Sequence, residues 1–146
     1  MMSVAATLGL GGCGIVDPLQ HESSDLSYYW ERWISAGYTS YDYIIVHDCY
    51  CVTEGIPVEV SVRDDRVVAV RYADTGTPLA TDLALQYRDI DGLFQLIDDA
   101  LTRNAYSIDA RYNSSYGFPR DVFIDYEQRV VDEEFGFRIV AFYPIR

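Results

Sequence analysis

Lysine is absent from this chain. All eleven basic residues are arginine, set against twenty-three Asp and Glu, for a formal net charge of -12. A groove that tracks a phosphate backbone needs clustered cations, so no nucleic-acid partner is expected. Histidine and cysteine are scarce at two and three, which leaves a four-ligand zinc site few residues to draw on. The chain also lacks Gly-x-Ser-x-Gly, a phosphate loop, His-Glu-x-x-His and Cys-x-x-Cys. No catalytic residue and no cofactor is therefore expected, and an enzyme is the less favoured class. No apolar run is long enough to span a bilayer. What is present is 146 residues, 49% of them hydrophobic, enough for one domain with a proper core. Thirteen tyrosines suit a sheet, where the ring packs and the hydroxyl reaches water.

The first twelve residues carry no charge, run apolar from Val4 to Leu10 and end in small residues before Cys13. The stretch Leu10-Gly11-Gly12-Cys13 resembles the lipobox of bacterial lipoproteins. That resemblance implies cleavage before Cys13, acylation of its sulfur and attachment of the chain to a membrane. A signal peptide opens with positive charge, whereas this chain opens Met1-Met2-Ser3, so a basic segment upstream is expected. The alternative is a small-residue context around a cysteine in an unstructured tail. Residues 14–24, polar and containing Pro18 and His21, read as a tether, and the folded domain is expected over 25–146.

Within that domain, Leu26, Tyr29, Trp30, Trp33 and Ile34 fall on one side of a helix that Ser24 or Asp25 can cap and Gly37 can end. Tyr41 to Val52 reads as a strand with two largely apolar faces, hence central in its sheet. Val58, Val60 and Val62 alternate with polar residues, and a second run returns from Val67 to Tyr72. A three-residue loop, Asp64 to Arg66, would pair the three valines with Val68, Val70 and Tyr72 and keep one face apolar. Asp74 to Leu85 reads as a surface crossover. A second amphipathic helix follows from Ile90 to about Arg103, capped by Asp89. Tyr106, Ile108, Ala110 and Tyr112 then alternate with polar residues in a strand, and a Gly-Phe-Pro turn at 117–119 leads to a strand ending in Asp125, an acidic connection and a closing strand.

Helix, strand, Gly55-Ile56-Pro57 and hairpin are followed by helix, strand, Gly117-Phe118-Pro119 and hairpin. The fold class expected is α+β, with an antiparallel sheet, two helices packed on one face and tandem α-β-β-β units. A Trp-bearing helix before Tyr41-Asp42-Tyr43, the Cys49-Tyr50-Cys51 strand end, the valine-rich hairpin, Leu93-Phe94, Tyr112 leading to Gly117-Phe118-Pro119, Asp125 and Asp132-Glu133-Glu134 occur in that order. Over residues 26–143 the chain resembles a family of small bacterial secreted proteins and lipoproteins classified only as a domain of unknown function. The resemblance implies an exported, envelope-associated domain and no activity. At the level of architecture, the layout is also similar to β-lactamase-inhibitor-like domains and small outer-membrane assembly lipoproteins; fold does not imply function.

His47, Cys49 and Cys51 occupy alternate positions, so on a straight strand they share a face that could take a soft metal. The ligand count argues against zinc. Asp125, Asp132, Glu133 and Glu134 gather around one connection and could hold Ca²⁺, though without the glycine-punctuated spacing of a calcium loop they read first as a solvated turn. Once Cys13 is acylated, Cys49 and Cys51 are an even pair, which an oxidising compartment would join. Residues two apart on an extended strand have Cα atoms about 6.6 Å apart, so a bridge requires the chain to bend at Tyr50. Three readings stay open for the pair: a structural disulfide, buried free thiols, and redox or metal use. The function expected is a membrane-anchored interaction or scaffold domain of the bacterial envelope, meeting a protein partner on the open sheet face. The alternative is a thiol- or metal-dependent redox protein acting through Cys49 and Cys51.

Overall fold

Alternation beginning at Tyr41 builds the strand that joins the two halves of the sheet. In β1 (Tyr41–Cys49) the side chains of Tyr41, Tyr43, Ile45 and His47 are buried, while Asp42, Ile44 and Val46 on the other face are half-buried. The computed structural model describes residues 18–130 and 133–145. Its elements are α1 (Pro18–Ala36), β1, β2 (Val58–Arg63), β3 (Arg66–Tyr72), α2 (Thr81–Ala84), α3 (Ile90–Thr102), β4 (Ser107–Tyr112), β5 (Pro119–Asp125) and β6 (Glu134–Pro144). The strands form one antiparallel sheet in the order β3-β2-β1-β6-β5-β4. The fold is α+β, as expected.

Both long helices lie on the same face. From α1, Trp33 meets Tyr41 edge-on at 5.3 Å and Phe142 at 5.8 Å, while Trp30 stacks on Phe94 of α3 at 5.4 Å. The tyrosine hydroxyls of β1 do not reach water as expected. Tyr41 Oη accepts from the Ile90 amide at 2.9 Å and the Tyr43 hydroxyl donates to the Arg88 carbonyl, so both fix the start of α3. At that start, Asp89 caps the helix by accepting from Gly92 N at 2.8 Å. The order α-β-β-β recurs, but the halves are not rotated copies. In the order β4-β5-β6-β1-β2-β3, superposing one meander on the other reverses strand direction while keeping left-to-right order, which requires turning the sheet over. The two helices would then sit on opposite faces.

Several boundaries differ from expectation. Helix α1 starts at Pro18 instead of near Ser24 or Asp25, so residues 18–24 of the expected tether are helical, and Leu19 packs half-buried against the core. Proline is favoured at a first helical position, where its missing N–H would be unpaired anyway. Ile34 is exposed; Trp33 is the buried residue of that turn. Strand β1 ends at Cys49, not Val52.

The hairpin keeps the expected pairs Val60↔Val70 and Val58↔Tyr72, but Arg63 pairs with Arg66 and Val62 with Val67. The turn is the two-residue Asp64-Asp65, with φ of 48° and 60°, and a bulge after Ser61 absorbs the extra residue. The crossover contains α2, and Tyr106 lies exposed before β4.

Gly117 explains the Gly-Phe-Pro turn. Its φ is +96°, and a Cβ there would sit 3.1 Å from the Tyr29 carbonyl oxygen and 3.3 Å from the Trp33 nitrogen. Only glycine lets α1 lie this close to the turn.

Candidate functional site

The chain leaves the sheet where β1 ends. Cys49 is the last residue of β1 paired with β6, opposite Phe135, and the next turn is tight, with Cys51 N donating to Cys49 O at 2.8 Å around an exposed Tyr50. This bend brings the two Cα atoms to 5.3 Å, and Cys49 and Cys51 form a disulfide with sulfurs 1.98 Å apart. After it, the chain folds back along β1, and Gly55 N donates to His47 O at 2.9 Å. Thr53 is buried by this return; it accepts from Tyr87 Oη at 3.0 Å, and its Oγ1 lies 3.9 Å from Cys51 Sγ.

His47 stands beside the disulfide. Its ring stacks on Tyr87 at 4.7 Å and meets Phe135 edge-on at 5.4 Å. Burial lowers its pKa from 6.5 to about 4, so the imidazole is neutral near pH 7. The ligand atoms of His47, Cys49 and Cys51 all lie within 4.8 Å of one another. His47 also lines a hollow of about 360 Å³ whose walls include Ile45, Tyr87, Leu96, Tyr126 and Phe135, with Arg88 among its polar groups. The site thus combines an electrophilic S–S bond, a neutral imidazole and an apolar recess.

The other expected groups are placed differently. Asp125 sits opposite Glu134 across β5 and β6 and accepts from Glu127 N at 3.1 Å, a local turn contact. Glu133 and Glu134 are exposed. Asp132 and Cys13 lie outside the described residues, as do the whole expected leader and residues 14–17 of the expected tether. Among the described residues, His47, Cys49 and Cys51 are the group brought within reach of one ion; Asp125, Glu133 and Glu134 are not.

A second candidate surface is the sheet face away from the helices. Ile44, Val46, Phe123 and Ala141 form its apolar middle, and the fork of Arg63 on Asp42, at 2.9 and 3.2 Å, lies toward one side. Gly136 leaves this face low, since a Cβ there would lie 3.0 Å from the Val122 carbonyl oxygen and 3.3 Å from the Phe123 ring. A hollow of about 220 Å³ adjoins it between Asp48, Glu54, Asp121, Phe123 and Arg138.

A family model described as a family of unknown function (DUF6174) matches residues 25–144. The chain belongs to that family. The match takes in the whole sheet, α2, α3 and α1 from Asp25 onward, and so includes the disulfide, His47 and the open face. No curated protein and no solved structure matches the chain.

Sequence reasoning missed the walls of the His47 site. Tyr87 lies in a stretch without periodicity, and Thr53 follows a turn, so neither carries a local signal. Asp91 was also missed. It accepts from both α1 tryptophans, Trp30 Nε1 at 3.0 Å and Trp33 Nε1 at 3.3 Å. Its position in the first turn of α3 suits the helix dipole, but nothing local announces the tryptophans.

Proposed function

We propose that this chain is a lipid-anchored domain of the bacterial envelope that holds a protein partner on the open face of its sheet. The observation that carries the reading is the one-sided cover of the sheet. Helices α1 and α3 bury one face, whereas the other keeps an apolar middle in which the Phe123 side chain is 38% exposed, with Tyr143 exposed toward one end. Such an apolar centre within a polar frame is the composition of a protein contact surface. The strongly acidic chain favours a partner with basic groups. Attachment would come from the lipid on Cys13. Among the described residues no helix is long and apolar enough to cross a membrane.

The test pairs fractionation with surface substitution. Expressed from its native gene in native cells, the wild-type chain partitions with membranes and Cys13→Ala releases it, while Phe123→Asp with Tyr143→Asp abolishes co-purification of the partner and leaves the anchor and the fold intact. Recovery of the wild-type chain in the soluble cytoplasmic fraction without added lipid mass defeats the anchor. Unchanged co-purification defeats the assigned face.

One observation favours a second reading, which is the placing of the His47 ring nitrogen within 4.8 Å of both cysteine sulfurs. Here the disulfide oxidises a substrate dithiol. A substrate thiolate attacks one sulfur, the Cys49–Cys51 bond breaks and the displaced thiolate takes a proton. The second substrate thiol then releases the first, leaving a substrate disulfide and two reduced cysteines. Disulfide formation in a model dithiol peptide, lost in the Cys49→Ser, Cys51→Ser chain, would support it; equal rates in both would not.

A further inference from the structure

We propose that reduction turns the end of β1 into a binding site for one Cu(I) ion, with Cys49, Cys51 and His47 as its three ligands. Neither reading above is required; the inference needs only that a dithiol can reduce the bridge. In the structure the two sulfurs are bonded to each other, which withholds both from any metal. A reductant of the dithiol class supplies two electrons: its own thiols become a disulfide, the Cys49–Cys51 bond breaks, and each cysteine sulfur gains a proton. Binding of Cu(I) then releases both thiol protons to solvent, and copper does not change its oxidation state.

Geometry favours this set. Three ligands at about 2.0 to 2.3 Å from a common centre stand roughly 3.5 to 4 Å from one another. The ligand atoms already lie within 4.8 Å, so once the sulfurs part, small movements suffice. The turn that must give is centred on Tyr50, a side chain 91% exposed. His47 is held in place by its stack on Tyr87 and by Phe135. No described residue takes either of its ring nitrogens by a hydrogen bond, which leaves a lone pair available.

Softness favours the ion. Two thiolates and one imidazole are a soft set that suits Cu(I); with a water as fourth ligand the same set would hold zinc in an open site, so competition by zinc is part of the test. Phe135 carries no ligand atom, and the nearby oxygens of Tyr87 and Thr53, hydrogen-bonded to each other at 3.0 Å, are hard donors that do not suit Cu(I).

The experiment uses the full, unlipidated chain carrying Cys13→Ser, reduced with a phosphine and titrated anaerobically with Cu(I) against a competing chromophoric chelator. One ion per chain is expected for the reduced protein and none for the oxidised one. X-ray absorption should show two sulfur neighbours and one nitrogen neighbour. His47→Phe, which keeps the stack on Tyr87, should weaken binding at least about 10-fold, with near-ultraviolet dichroism confirming the fold. Equal binding by the oxidised chain, unchanged affinity in His47→Phe, an all-sulfur copper environment or displacement of Cu(I) by zinc would each overturn the assignment.

Discussion

Between Tyr87 and Phe135 the imidazole of His47 has little room for a hydration shell, and burial lowers its pKa from 6.5 to about 4. From about pH 6.5 down to 4 the unfolded chain therefore holds a proton that the native chain does not. Stability from this residue is complete above pH 6.5, falls as the pH drops toward 4, and changes little below that. The loss reaches at most roughly 3 kcal/mol, from 1.36 kcal/mol per pKa unit. Urea unfolding at pH 7.5 and 4.5 should show a smaller acid loss in His47→Phe than in the wild type. An identical loss in both would mean that His47 titrates normally.

Trp33 is a different case, 2% exposed, ringed by Tyr38, Tyr41, Phe118 and Phe142 and bonded to Asp91. Trp33→Ala should cost about 3 to 5 kcal/mol in urea unfolding; a loss below about 1 kcal/mol would place the ring outside the core. Its burial was legible from helical spacing. Its partner Asp91 was not, because a contact between residues 58 apart leaves no local trace.

Legibility among the elements followed the strength of their periodicity. Helix α3 announces itself by Ile90, Leu93, Phe94 and Ile97 and by Asp89 as cap, and the structure places it within a residue of the expected bounds. The start of α1 was hidden because Glu22 occupies the stripe that continues from Leu26 back to Leu19. Burial raises the Glu22 carboxyl pKa, with Asp109 and Asp25 adding to the rise. A charged residue at a core-facing position reads as a break in the pattern. Removing residues 1–24 should therefore cost about 1 to 2 kcal/mol, from half-buried Leu19 and the lost helical turns. A melting curve unchanged by the truncation would return this segment to the tether.

The Gly-Phe-Pro turn was legible as a turn, but not as the seat of α1. Gly117→Ala should cost about 1 to 3 kcal/mol from left-handed strain and the close carbonyl of Tyr29. Denaturation of the variant checks this, and a neutral outcome would mean that α1 lies farther from the turn.

For the whole molecule, local patterns gave strands and faces but not their neighbours. That β6 would pair with β1 is set by no hairpin, since these strands are the first and last of the sheet. The pairing places the C-terminal strand in the middle and leaves β3 and β4 as edges. Part of β3 is covered where Leu79 N donates to Val70 O and Tyr72 N to Thr77 O, while β4 carries exposed Asp109 and Arg111. Charges on an edge discourage pairing with another chain, which is why the proposed partner surface is the open face and not an edge.

Site-specific photocrosslinking in native cells tests that claim most directly, with the photoreactive residue placed at Phe123 on the open face or at exposed Ile34 on the outer side of α1. The account predicts a discrete crosslinked protein from position 123 and none from position 34. A discrete adduct from position 34 with none from 123 would contradict it.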